Sequence, residues 1–307
     1  MFICNNLSWI NIKLACSCLR LTRSNYYAWI SGATARAGKR KLSEELLEQI
    51  KVEHVKSKQR YGSPKLTKIL KKNNVKCSQK SVSKLMSKNK IRSIVNKKFK
   101  ATTNSKHNLA VFDNVLNRQF VVPMPNFAWV SDITYVATGE GWLYLATVID
   151  LYSNQVIGHA MSDRMTKQLV IDALSKALKR RSYPSGVIVH SDRGSQYASH
   201  AYKAVLTKNK LIGSMSRKGN CWDNAVAENF FGIIKKEYIN QTKFETRSQA
   251  KLGIFDYIEG WYNTQRIHSK LGYLTPHEFN NLYNPAEVII SNETNKSIRI
   301  EATTAQL

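Results

Sequence analysis

Three acidic residues carry the chemistry this chain could do. Asp132 lies inside an apolar stretch, Trp129-Val130-Ser131-Asp132-Ile133-Thr134. Asp192 follows the apolar run Val187-Ile188-Val189-His190. Glu228 comes later, with 35 residues between it and Asp192, inside a helix that follows Gly219-Asn220. Making or breaking a phosphodiester needs an activated oxygen nucleophile and a stabilised leaving oxygen, and two divalent cations about 3.5–4 Å apart supply both. Hard cations such as Mg²⁺ prefer carboxylate oxygens. Two carboxylates from adjacent strands and a third from a helix packed on the sheet form a workable holder. Each residue also has a plainer reading: Asp132 as a strand-edge charge, Asp192 as the cap of the turn into Arg193-Gly194-Ser195, Glu228 as a solvated helix residue. Asp150, at the end of the second strand, is the rival carboxylate, but nothing spaced from it repeats the pattern.

The elements needed to hold such a site can be read around it. Ala128 to Thr138 is rich in β-formers, Gly139-Glu140-Gly141 is a turn, Trp142 to Leu151 is a near-continuous apolar strand, and Val156 to Met161 follows the Ser153-Asn154 turn. Three consecutive strands of this kind predict an antiparallel meander. A helix is expected from Thr166 to about Arg181, with Leu169, Val170, Ala173, Leu174 and Ala177 on one face. A buried strand (187–190), a helix (about 198–208), a short strand (211–215) and a long helix from Asp223 complete the order βββαβαβα, an α/β layout with a mixed sheet. Asp223 is the expected N-cap of that helix. Tyr257, Trp261 and Tyr262 are expected to pack.

Charge divides the chain. Residues 1–110 carry 25 Lys+Arg and 4 Asp+Glu, a net of +21, whereas 111–307 carry 22 and 17, a net of +5. A basic front joined to a nearly balanced back suggests a polyanion-binding module, although a solvated basic surface would have the same composition. Ser43 is expected to cap a helix through Leu46, Leu47, Ile50 and Val55. Ser63-Pro64 opens a second, with Leu66, Ile69 and Leu70 inward. Ser78 or Ser81 opens a third, burying Val82, Leu85 and Met86 and exposing Lys80, Lys84, Lys88 and Lys90. This is the outline of a helix-turn-helix, with Lys84 and Lys88 as candidate DNA contacts. The expected division is 1–42 helical segment, 43–95 helix-turn-helix, 96–119 linker with a short helix near 109–116, 120–283 catalytic core with C-terminal helices, and 284–307 tail. No run of eighteen apolar residues predicts a membrane span. Five cysteines without a C-x-x-C pair argue against a disulfide framework and favour a reducing, cytoplasmic setting.

Longer motifs connect these pieces. They are Tyr26-Tyr27-x-Trp29, Arg60-Tyr61-Gly62-Ser63-Pro64, Trp129-x-x-Asp132-Ile133-Thr134-Tyr135, His190 to Tyr197, Ser214 to Ala225, Ala227-Glu228-Asn229-Phe230-Phe231, Tyr262-Asn263, Arg266-x-His268 and Leu271-Gly272-Tyr273-x-Thr275-Pro276. With them the chain resembles the DDE transposases of bacterial insertion sequences, whose catalytic protein comes from a second reading frame and shares its core with retroviral integrases. The resemblance implies a ribonuclease H-like integrase core with a five-stranded mixed sheet, preceded by a basic all-α helix-turn-helix region. It implies Asp132, Asp192 and Glu228 as the metal-binding triad, Mg²⁺ or Mn²⁺ as cofactor, two per site, and metal-dependent cleavage and strand transfer of element ends into target DNA. It also implies that Lys235, seven residues after Glu228, contacts DNA. Arg193, Arg217 and Lys218 flank the triad and could hold phosphates. Gly219 and Asn220 free the preceding loop, and Trp222 could stack on an unpaired base or pack at the helix start. Two departures matter. Nothing matches the zinc module of retroviral integrases, so no zinc is expected. In many relatives an upstream frame supplies another helix-turn-helix and a leucine zipper; no sustained heptad occurs here, so the resemblance implies such a partner, beside a homo-oligomer. The rival functions are a structure-selective nuclease and a DNA-binding repressor from a decayed element.

Overall fold

The structure is a computed structural model that describes residues 11–94, 111–217 and 221–283, apart from the side chains of 33–37 and 221. The chain forms two compact units, divided between Ile94 and Val95.

The first unit is all helical: α1 (Ile12–Cys18), α2 (Arg23–Lys56), α3 (Ser63–Lys72) and α4 (Gln79–Lys88). One expectation fails here. Ser43 caps nothing; it lies inside the 34-residue α2, whose N-cap is Thr22, and its hydroxyl donates back to the Lys39 carbonyl. A serine in a helix interior finds a carbonyl one turn back instead of an amide ahead. The inward side of α2 is Ile50, His54 and Ser57, while Val55 faces solvent. α3 and α4 behave as read. Pro64 sits in the first turn of α3, one residue later than expected, behind a Gly62 N-cap. The helix stops at Asn73, and Asn74 takes the left-handed conformation that asparagine tolerates. Ser78 caps α4 by accepting from the Ser81 amide. Leu66, Leu70, Val82 and Met86 are buried between them, with Ile69 and Leu85 partly so. Lys80, Lys84, Lys88 and Lys90 are exposed.

The second unit is built on one sheet: β1 (Ala128–Thr138), β2 (Gly141–Asp150), β3 (Val156–Ser162), β4 (Ile188–Ser191) and β5 (Ile212–Met215). The strand order is β3-β2-β1-β4-β5. β1–β2–β3 is an antiparallel meander, and β4 and β5 join parallel to β1, so the sheet is mixed as expected. α5 (Lys167–Arg180), α6 (Ser195–Ala198) and α7 (His200–Lys208) pack on one face, with Trp129, Val148, Ile157, Val170, Leu174 and Tyr202 in the core between them. α8 (Ala225–Glu237) packs against β1. α9 (Arg247–Phe255) runs directly into a π-helical segment, Asp256–Tyr262, and α10 (Pro276–Asn281) closes the described chain with a Thr275/Glu278 capping box.

Part of the expected linker belongs to this core. Residues 111–116 form no helix. They run beside β5, where the Met215 amide donates to the Asp113 carbonyl and the Leu116 amide to Ser214 Oγ. Phe112 lies against Gly213, and Leu116 is buried. Residues 95–110, Lys218 to Asn220 and the tail from 284 lie outside the described residues.

Candidate active site

The parallel pairing of β1 with β4 sets the site. Its last matched residues are Ser131 and Ser191. The next residue on each strand is an aspartate, so Asp132 and Asp192 stand side by side at the point where β4 stops pairing. Neighbouring strands run about 4.7–4.9 Å apart. Beyond Ser131, β1 continues to Thr138 with no further pairing to β4, and Asp132 and Asp192 are both half-buried. α8 packs against β1 and brings Glu228 from its first turn and Lys235 from its last.

The electrostatics follow from this crowding. Asp132 is held well above the usual carboxylate range by its removal from water first, then by the charge of Asp192, with Glu228 adding further repulsion. The Ile133 amide, 2.8 Å from Asp132 Oδ1, and Lys235 act against that rise. Burial also raises Glu228. It lowers Lys235, whose ammonium the field of Asp132 pulls back up. Three carboxyl groups thus disfavour one another's ionisation at this corner, with Lys235 acting on Asp132 in the opposite sense, and added positive charge would relieve them. Among the described residues, no three His, Cys, Asp or Glu side chains are gathered tightly enough to enclose an ion.

The strand ends are fixed by a chain of hydroxyls. His190 is fully buried, and burial lowers its imidazole to about 4, which keeps it neutral. Its Nδ1 lies 2.8 Å from Ser214 Oγ and its Nε2 3.2 Å from Ser216 Oγ. Ser214 Oγ already accepts from the Leu116 amide, and Ser216 Oγ donates to the Ser191 carbonyl. A neutral ring with its proton on Nε2 satisfies every member. Ser131 Oγ meets Tyr197 OH at 3.0 Å. Asp192 accepts from the Gly194 amide at 2.9 Å, so the turn-capping role is real and coexists with the site. A Cβ at Gly194 would lie 3.0 Å from Asp192 Oδ1, a reason for glycine at that position.

Several expected residues fall elsewhere. Asp223 is not a helix N-cap; Asn224 occupies that position, after the short 3₁₀ turn Cys221–Asn224. Asp223 is fully buried and accepts from the Arg217 backbone amide (2.9 Å), Arg217 Nε (2.9 Å), Arg217 Nη2 (2.8 Å), Arg118 Nε (2.7 Å) and Asn114 Nδ2 (2.9 Å). These bonds hold its carboxyl far below the ordinary range. The carboxylate ties the end of β5 to the start of α8, five residues before Glu228. Arg217 is engaged in that clamp, and Arg193 Nε donates to the Ser216 carbonyl at 2.7 Å. Trp222 is not core; it is 69% exposed. Asp150 pairs with Trp129, three residues before Asp132 on β1, is buried, accepts from the Asn126 and Tyr152 amides and meets Arg181 at 3.3 Å, a structural arrangement. Lys84 and Lys88 belong to the first unit.

One group escaped the sequence reading. Glu237, at the end of α8, is buried and receives Arg266 Nε (3.0 Å) and Nη2 (2.9 Å), Tyr257 OH (2.9 Å) and Trp261 Nε1 (3.4 Å). The π-helical turn places Tyr257 and Trp261 on the same acceptor. Arg266-x-His268 was visible as a motif; what Arg266 bonds was not, because its partner lies 29 residues away.

A five-stranded mixed sheet with one carboxylate within β1 and another just past β4, in a chain that also has a basic helical unit, is consistent with a DNA-binding polynucleotidyl transferase. Comparison with known proteins agrees. Residues 122–221 and 228–282 match models described as integrase core domain, and residues 41–99 match an HTH-like domain. The chain is 42% identical over 281 residues to the transposase InsF for insertion sequence IS3A of Escherichia coli strain K12, covering 92% of this chain and 98% of that one. It is also 42% identical over 269 residues to the insertion element IS600 uncharacterized 31 kDa protein of Shigella sonnei, covering 87% and 98%. Among solved structures, the HTLV-2 integrase catalytic core domain in complex with magnesium is similar at 17% identity and TM-score 0.40, over 51% of this chain and 97% of that one. The chain belongs to the family of InsF-type transposases of IS3-like insertion sequences, and its function is that of a transposase. No helix among the described residues is long and apolar enough to cross a membrane.

Proposed function

We propose that Asp132, Asp192 and Glu228 together hold divalent cations, Mg²⁺ or Mn²⁺, two per site, and that the chain uses them to cut element ends and join them to target DNA. The observation that supports this reading most is the Ser131–Ser191 register, beyond which Asp132 follows within β1 and Asp192 follows just past the end of β4. The donor set fits: all three groups are hard oxygen ligands, and their mutual repulsion is short of positive charge. When bound, the cations supply Lewis acidity at the attacking and leaving oxygens. Asp132 and Asp192 would form one half of the holder, and Glu228, in the first turn of α8, would supply the other. Asp223 positions that helix at its start and Glu237 at its end. Water cleaves the end, and the freed 3′-hydroxyl attacks a target phosphodiester in line. No covalent link to a protein side chain is needed, so none of the chain's serines or tyrosines is assigned as nucleophile. In this reading Lys235 and the exposed Trp222 meet the DNA end.

In this reading the units divide the labour near residues 43–95 for recognition and 120–283 for catalysis, with helix-turn-helix residues Lys84 and Lys88 on phosphates. Two element ends require two such sites, which favours a homo-oligomer. The missing heptad leaves room for an upstream-frame partner.

The test uses a labelled, pre-nicked element end and a target plasmid in Mg²⁺. Joined product that EDTA abolishes is expected. Cutting of intact ends with no joining of pre-nicked ends would make the protein a nuclease and overturn the proposal.

A further inference from the structure

A groove of about 800 Å³ lies beside the acidic corner, between the far half of β1, the start of β2 and the chain that follows α8. Its floor is aromatic. Tyr135 and Trp142 meet edge to face with ring centroids 5.0 Å apart, and both are exposed, 39% and 51%. Lys235 Nζ sits 4.8 Å from the Tyr135 centroid. Lys243, paired with Glu245, also lines the groove, and Arg247 Nε donates to the Trp142 carbonyl. The far wall is fixed because the Gly139 amide donates to the Phe244 carbonyl.

Two large rings left in water at the tip of a hairpin do not stabilise the core. Their arrangement suits a planar, anionic ligand. A base stacks on an aromatic face whatever its sequence, and a facing ammonium takes the adjoining phosphate. The bases of a duplex are stacked inside and cannot reach such rings, whereas unpaired ones can. The position is also suited to the substrate. Lys235 links the groove to the acidic corner: its Nζ meets the Tyr135 ring while its charge acts on Asp132, which lies three residues back along β1, about 10 Å at strand rise, with its side chain on the other face of the strand.

We propose that Tyr135, Trp142 and Lys235 form a binding site for unpaired nucleotides of the DNA strand next to the phosphate being cut. The placement beside the scissile phosphate rests on the assignment of Asp132 above; the binding of unpaired bases does not. The site would hold the separated strand and keep it from re-pairing while the end is processed.

The test is photocrosslinking in EDTA, so that no metal-dependent chemistry enters. The full chain is irradiated with a single-stranded oligonucleotide carrying 5-iododeoxyuridine, and with the same sequence as a duplex, and the adducts are mapped to peptides. Adducts at Trp142 or Tyr135 with the single strand, roughly tenfold weaker with the duplex, are expected. Trp142→Ala should reduce them at least fivefold, and Trp142→Phe should retain most of the yield, which separates stacking from misfolding. Adducts confined to other peptides, equal yields from duplex, or no change in Trp142→Ala would overturn the site. Because the readout needs no metal, it can succeed or fail independently of the triad.

Discussion

At the scale of residues, the active corner is a place where folding and function oppose each other. Asp132 is raised by burial and by Asp192, so the folded state binds its proton more tightly than the unfolded chain does. Stability contributed there is present below the unfolded carboxylate pKa and falls as pH rises through the folded value. Asp132→Asn removes the repelling charge. It should therefore raise the melting temperature by a few degrees in EDTA while abolishing strand transfer, and added Mn²⁺ should stabilise only the wild type. Calorimetric scans of the two proteins with and without Mn²⁺ check this; equal melting temperatures in EDTA would contradict it. Glu259 behaves the opposite way. Its carboxyl, opposed by burial but lowered to about 2 by His159 at 3.2 Å and Arg180 at 2.8 Å, stabilises the fold above about pH 4.5. That contribution, up to roughly 3 kcal/mol, should vanish as pH falls from about 4.5 to 2. Urea titrations of Glu259→Gln against wild type across that range should converge at the acid end. The three carboxylates proposed as the metal holder could be singled out in the sequence because each lies in one of the longer motifs that carry the resemblance. The job of Asp223 was not: its position before a helix suggests a cap, and only the fold brings Arg118, 105 residues away, onto it.

At the scale of elements, two packing devices keep the strand ends and α8 in place. The first is the contact of α5 with β3 at Gly158, where a side chain would run into the Ala173 carbonyl and lie 2.7 Å from the Ala177 amide nitrogen. Gly158→Ala should cost about 1–3 kcal/mol by overpacking, measured as a lower urea midpoint with an unchanged slope. The second is the Glu237 cluster. Glu237→Ala leaves Arg266 buried without its carboxylate and should cost about 3–5 kcal/mol. Transfer activity should fall with it at temperatures where the chain still folds, since the same helix carries Glu228. Strand boundaries and the mixed sheet were readable because apolar runs of four to eleven residues alternate with Gly, Asn and Ser turns. The start of α2 was misread because Ser43 followed by two glutamates imitates a cap, while the helical residues before it carry no strong apolar period. The segment at 111–116 was misread because its polar Asp113-Asn114 pair suggests a loop or helix end, and its true partners are on β5.

At the scale of the whole molecule, the charge asymmetry matches the division into a helix-turn-helix unit and a catalytic core. Binding by the basic front should be phosphate-dominated. The double variant Lys84→Ala/Lys88→Ala should reduce the slope of log K against log salt by about 2 and weaken all duplex sequences alike. An unchanged slope would remove both residues from the interface. Three carboxylates, distant in sequence, are proposed to act as one cation holder. Titration calorimetry of Mn²⁺ into the full chain bound to an element end tests it most directly, with Asp132→Asn, Asp192→Asn and Glu228→Gln measured in parallel. The account predicts that the wild type binds Mn²⁺ and that each single replacement weakens binding at least tenfold. Unchanged Mn²⁺ affinity in Glu228→Gln, with that variant folded and on DNA, would contradict it.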